Sequence, residues 1–313
     1  MKKFNIQWSN ERTAFILRLL LAIFVTLALF VGAYSFTYIT YTTTDDVALM
    51  QKLAGCFNNE PMSWVSFISP ILCWFVAFLY RLFPQQPCYV YLQIILMYIS
   101  IATINYCLLK HCSKYRLGIV KGLVLAILLF VGVFGWVLVR MHFYYVALLA
   151  SVSAIALILT MDFKDRKWIF PGIFALLQIV VSLLYSLDTS YAVLCFVALA
   201  LVYRSIMAIV SKCGKKAILV SVVFVIFTFA TILGFKALLR YDRVRVNGQD
   251  YVEWNSYRVS YWDYEVTPYE EDPELYEDVG WNEEFFKLTR KLYFMDENFQ
   301  TDFLMLESPK NML

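Results

Sequence analysis

The chain has 313 residues, of which 61% are apolar and 16% charged, with a mean hydropathy of +0.63. That balance excludes an ordinary water-soluble globular domain, and no glycine-rich nucleotide loop or His-Glu-x-x-His pattern supports soluble nucleotide or zinc-hydrolase chemistry. The formal charge of +3 conceals a division: residues 241–313 carry 17 acidic and 7 basic groups, whereas residues 1–240 carry 20 basic and 7 acidic ones.

Residues 1–12 are polar and include Lys2, Lys3 and Arg12, and an apolar run then reaches about Tyr38. Val31-Gly32-Ala33 would suit a signal peptidase, yet the run exceeds a signal core, so an uncleaved anchor is expected. Arg18 near its start can extend to the cytoplasmic surface. The loop from 39 to 87 follows, holding three of the seven acids of residues 1–240: Asp45, Asp46 and Glu60. Thr44 is expected to cap a short helix whose first turn carries the acid pair, facing the positive end of the helix dipole. Val47, Met50, Leu53, Ala54 and Phe57 supply its apolar spacing.

Runs of spanning length lie at about 13–38, 88–109, 117–139, 142–161, 168–187, 190–211 and 217–239. The stretch 63–83 sets the orientation of everything after it. If it crossed, the basic links 110–116, 162–167 and 211–216 would all face outward, against the usual bias. Placing it in the outer interface, where Pro70, Trp64, Phe67, Trp74, Phe75, Phe78, Tyr80 and Arg81 suit it, makes those links cytoplasmic together with the N-terminus.

The fold class expected is therefore an all-α polytopic membrane protein. It has seven transmembrane helices, an interfacial helical segment in the first outer loop, and a small C-terminal extracytoplasmic α+β domain over 241–313. That domain is expected to begin as strands over Arg243–Val252, with Asn247-Gly248 as a hairpin signal, and to be helical over about 282–294. Seven cysteines without metal-ligand spacing read as small hydrophobes. Gly118-x-x-x-Gly122 and Gly132-x-x-Gly135 read as close-packing positions. Membrane lipids are the expected partners, and no nucleic acid is.

Four groups of residues are candidates for chemistry. Asp45 and Asp46 suit a general base or metal ligand, because a sugar hydroxyl needs its proton removed as it attacks. Arg140 and His142 sit between two spans at the outer surface, where Arg matches phosphate oxygens and both also suit headgroup anchoring. Lys236 and Arg240, with Arg243 and Arg245, form a second outer basic cluster open to the same two readings. Asn255, Arg258 and Asp263 lie in an aromatic tail segment that suits sugar recognition or a small structural core, and Glu60 joins them as a substrate-binding candidate.

The anchor, the acidic pair, and then Ser69-Pro70-Ile-Leu-Cys-Trp-Phe-Val-Ala-Phe-Leu-Tyr-Arg-Leu-Phe83 ahead of the second span resemble the GT-C glycosyltransferases over residues 1–160. In that superfamily, which includes protein mannosyltransferases and lipid A aminoarabinose transferases, an acidic pair in the first outer loop precedes an interfacial helix, and a seven-helix core is shared. The resemblance implies a polyprenyl-phosphate-linked sugar as donor, transfer on the outer face, and Asp45 or Asp46 activating or orienting the acceptor. Family members place another acid near the outer end of the third span, where this chain has Arg140 and His142, so the cofactor is unknown and a divalent metal has no clear ligand set. The competing readings are a glycolipid flippase or transporter and a non-catalytic cell-envelope assembly or binding protein.

Overall fold

Long apolar stretches without proline satisfy their backbone groups most readily as helices, and most of the described residues of this chain are helical. A computed structural model of the protein describes residues 11–56, 59–65, 68–115, 117–161, 168–210, 215–247, 266–278 and 280–290. The chain divides into two compact units, Met1–Leu239 and Arg240–Leu313.

Among the described residues, five helices are long and apolar enough to cross a membrane. They are α1 (Glu11–Phe36), α4 (Cys88–Cys112), the continuous helix Gly118–Val139, α7 (Phe143–Thr160), and Val222–Arg245 within α10 (Lys215–Asn247). Gly118–Val139 comprises α5 (Gly118–Leu129), a π-helical turn at Phe130–Phe134 and α6 (Gly135–Val139). Two further apolar helices occupy expected spans: α8 (Ile169–Tyr185), with 17 residues, and α9 (Leu187–Val210). The exposed surface is apolar, with Val131 at 75%, Phe170 at 72% and Leu199 at 63% exposure. A water-soluble protein does not present continuous apolar helices in this way, whereas hydrocarbon requires it.

The first loop holds α2 (Thr44–Ala54) and α3 (Pro70–Leu82). At about 1.5 Å per residue, the 13 residues of α3 reach about 20 Å, short of a bilayer core of roughly 30 Å. Ser69 caps α3 by accepting the Ile71 N–H, and Pro70 occupies the first turn, where its missing donor costs nothing. Leu72, Cys73, Val76, Ala77 and Tyr80 are buried, while Trp74, Phe75 and Phe78 remain exposed on the outward face. That aromatic face suits a headgroup boundary.

α7 is the central helix. Ten of its residues are buried, and small side chains at Ala147, Ala150, Ser151 and Ala154 permit close approach. Ser151 Oγ donates to Ser182 Oγ of α8 at 2.6 Å. Antiparallel to α4, α1 sets Phe15 against Tyr106 and receives a hydrogen bond from the Tyr98 hydroxyl at the Ile23 carbonyl. Two apolar cores result: one joins Leu49, Tyr80, Tyr89, Phe134, Leu138 and Phe143, and the other joins Cys107, Ile158, Met161, Ile179, Leu201 and Phe224.

A two-residue parallel sheet closes the first core. β1 (Thr40–Tyr41) pairs with β2 (Arg140–Met141), Thr40 beside Arg140 and Tyr41 beside Met141. Thr42 extends it, its N–H donating to the Met141 carbonyl at 3.0 Å and its hydroxyl to the Arg140 carbonyl at 3.1 Å.

Several expectations need correction. α10 remains helical through Asn247, so Arg243–Asn247 is not strand; residues 248–252 lie outside the described residues. No helix breaker precedes Asn247-Gly248, a pair that ends helices as readily as it turns hairpins. Thr44 is the first residue of α2 and Thr43 its flanking residue, so Thr44 is not the cap. A Cβ at Gly118 would fall 1.9 Å from the Cys112 carbonyl oxygen and one at Gly122 2.9 Å from Leu109, but Gly132 faces open space and packs against nothing.

The second unit, taken by itself, has α11 (Pro273–Glu277) and α12 (Glu283–Arg290) around buried Tyr276 and Trp281. Asn282 initiates α12 by accepting the Phe285 N–H, and Tyr276 packs edge-on against Phe286 at 4.9 Å.

Candidate active site at the junction of α2 and α7

The β1–β2 pairing fixes the site. It holds the chain entering α2 beside the chain entering α7, so the first turns of both helices meet. Asp46, in the first turn of α2, is fully buried there. Its Oδ1 accepts the Phe143 N–H at 3.2 Å, and its Oδ2 accepts the Thr43 hydroxyl at 3.4 Å. The carboxylate thus rests on the positive N-terminal end of α7.

His142 occupies the capping position of α7. Its Nδ1 accepts the Tyr144 N–H at 3.1 Å and lies 3.7 Å from Asp46 Oδ2. Nδ1 is therefore a lone-pair nitrogen in the neutral ring, leaving the proton on Nε2, and the gap to Asp46 exceeds a hydrogen bond. The ring is buried and stacks on Tyr144 at 4.8 Å.

Buried tyrosines complete the surroundings. Tyr89 lies within electrostatic reach of Tyr185, Asp46 and Tyr41, and Tyr185 within reach of Tyr41 and Asp46. Tyr80 of α3 accepts the Tyr89 N–H on its hydroxyl at 3.3 Å. Gln93, fully buried one turn beyond Tyr89, comes close enough to Asp46 to favour its charged form, although neither of its amide atoms attains hydrogen-bonding geometry.

Burial pushes the Asp46 carboxyl up from 3.8 to about 6, against the opposing effects of the Phe143 N–H, Gln93 and Thr43, with the charge of Asp45 adding to the rise. Burial also lowers His142, while Asp45 draws it back up. At neutral pH the pair is a largely ionised carboxylate beside a neutral imidazole. Such a carboxylate can take a proton from an attacking hydroxyl and hold it, since its affinity lies near the working pH.

The candidate residues separate clearly. Asp46 and His142 come together, with Asp45 exposed one residue away on α2. Arg140 is on β2, its side chain exposed and its guanidinium 5.5 Å above the Trp136 ring. Glu60 is exposed in the loop beyond Gly55, whose positive φ of 85° ends α2. Lys236 and Arg240 are exposed one turn apart on α10. Asn255, Arg258 and Asp263 lie outside the described residues. No three His, Cys, Asp or Glu side chains among the described residues converge as metal ligands would.

Tyr41, Tyr89, Gln93 and Tyr185 are additions that the sequence reading did not single out. Gln93 carried a usable signal, being an amide within the first two turns of a mostly apolar span. The tyrosines carried none, because interfacial Tyr is ordinary. Compared with known proteins, this sequence matches no family model and no curated protein, and the fold matches no solved structure.

Proposed function

We propose that this protein is a GT-C-type membrane glycosyltransferase. In this reading seven helices span the membrane, the N-terminus is cytoplasmic, and the C-terminal unit is extracytoplasmic. A sugar passes from a polyprenyl-phosphate carrier to an acceptor hydroxyl, Asp46 taking that hydroxyl's proton while Asp45 orients the acceptor. The observation that carries the proposal is the buried Asp46 carboxylate, poised near neutral affinity beside His142.

Three features support the reading. The acid pair opens α2, the next helix is too short to cross, and six further apolar helices follow it. Lys110 donates to the Thr160 carbonyl and Arg204 to the Met161 carbonyl, so the links after α4 and α7 leave from the end opposite the acid pair. Basic links gathered at one end accord with a cytoplasmic face there. Arg140, exposed near the site, is the group proposed to meet the donor phosphate, with Lys236 and Arg240 as further cations on α10.

A second reading has its own observation. Asp46 caps α7, so it serves the fold whether or not it does chemistry, as a non-catalytic envelope protein would require. Asp46→Asn separates the two, because the amide oxygen still accepts the Phe143 N–H but cannot take a proton. Reconstituted in vesicles with a polyprenyl-phosphate sugar, the variant should lose transfer about 100-fold or more while remaining folded. Transfer at the wild-type rate would assign Asp46 to the fold alone.

A further inference from the structure

Three fully buried side chains at this site have polar atoms without hydrogen-bond partners: the hydroxyls of Tyr89 and Tyr185 and both amide atoms of Gln93. They come from two helices, α4 and α8, and the electrostatic neighbours of all three include Asp46. The end of α8 is fixed there by its Leu184 carbonyl, which accepts the Ser69 N–H at 2.9 Å. A buried donor or acceptor without a partner is costly, and phenylalanine or methionine would fill the same volume without that cost.

We propose that Tyr89, Tyr185 and Gln93 form the recognition set for an uncharged, hydroxyl-rich group presented to Asp46. The proposal deepens the transferase reading and rests on it for its purpose, but binding can be measured without turnover. Two phenolic hydroxyls and an amide NH2 offer donors, while the carboxylate and the amide oxygen accept. Sugar hydroxyls both donate and accept, so they can satisfy every member of this set. The charge of Asp45 already acts on Asp46, so an anionic ligand would meet repulsion there. Phosphate recognition therefore belongs elsewhere, with an exposed cation such as Arg140.

The test uses the full chain in detergent, with methyl glucoside as the neutral probe and glucuronate as its anionic counterpart. Wild type should show a rise in thermal midpoint with the glucoside and none with glucuronate. Tyr89→Phe and Tyr185→Phe should each unfold at a higher temperature than wild type without ligand, because an unsatisfied buried hydroxyl has been removed, and these two variants and Gln93→Met should each lose the response to the glucoside. Lower midpoints with the response retained, or an equal response to glucuronate, would overturn the assignment. A wild-type protein that responds to the glucoside but transfers no sugar keeps this site and removes the transferase reading. Sugar transfer without any glucoside response removes this site and keeps the reading.

Discussion

Asp46 Oδ1 receives the Phe143 N–H at 3.2 Å, joining positions 97 residues apart in the chain. The opposite end of α7 is met by cations: Lys110 Nζ lies 2.8 Å from the Thr160 carbonyl, and an Arg204 guanidinium nitrogen donates to the Met161 carbonyl. α7 is buried on most of its faces, and water has little access to its terminal peptide groups. An anion at its positive end and cations at its negative end complement the helix dipole, an effect of up to about 2 kcal/mol per charge in partly buried geometry that burial outweighs at Asp46. The carboxylate assigned to chemistry is thus also one of the groups that fixes the central helix.

Asp46→Ala removes both the acceptor and the charge at Phe143. It should lower stability by about 1–3 kcal/mol, the cost of an unsatisfied buried N–H. Asp46→Asn keeps the acceptor and should lose much less. Thermal unfolding of the two variants in one detergent would measure the difference, and equal losses would show that the hydrogen bond at Phe143 contributes nothing.

The pH dependence has opposite signs for stability and for activity. Because burial raises Asp46 from 3.8 to about 6, the folded state holds its proton more tightly than the unfolded state does. Its contribution to stability is therefore full below about pH 4 and declines as pH rises through about 6. The proposed transfer would need the ionised form and should rise over that same upper limb. His142, lowered by burial, contributes to stability with the opposite sign, losing it as pH falls through 6.5. The diagnostic quantity is thus wild type minus Asp46→Asn, which should show wild type gaining relative stability on acidification from pH 7 to 5. A flat difference would place the Asp46 affinity near that of an ordinary carboxylate.

Much of this architecture was legible in the sequence, for reasons particular residues make clear. Hydropathy marked the helices, and the stretch 63–83, expected not to cross, holds a helix of only 13 residues. Asp46 and His142 were both visible as candidates, but nothing local joined them, because their contact depends on a two-residue parallel pairing too short to leave a pattern. Helical phase distinguished the acids only after the fact: Asp46 faces inward with Leu49 and Leu53, and Asp45 outward. The glycines show a similar limit. Gly118 is dictated by a backbone contact and Gly132 by none, although both occur in small-residue spacings.

The β1–β2 register can be tested by cross-linking. Adjacent strands lie about 4.8 Å apart, within the range of Cα separations that disulfides span. Thr40→Cys with Arg140→Cys, in a background lacking exposed Cys56 and Cys195, should oxidise to an intramolecular disulfide, since these two residues are direct partners. Pairing Thr40→Cys with a cysteine at Trp136, one turn before β2, should not. Efficient bridging of the second pair would mean that the entries to α2 and α7 are joined in another register, and the contact of Asp46 with Phe143 would not follow.

Orientation in the membrane is the remaining expectation, and it follows from electrostatics combined with the direction of each helix. Phe15 of α1 packs against Tyr106 near the end of α4 that carries Lys110 and precedes Lys114, while Asp46 sits at the other end of the bundle. By the positive-inside bias, Lys114 is expected in the cytoplasm and Glu60 outside. Both side chains are exposed, so single cysteines at either position are accessible to reagent. In intact cells an impermeant maleimide should label Glu60→Cys directly and Lys114→Cys only after permeabilisation. The reverse pattern would put Asp46 on the cytoplasmic face, where water-soluble nucleotide sugars rather than an outer-leaflet lipid carrier would be the available donors.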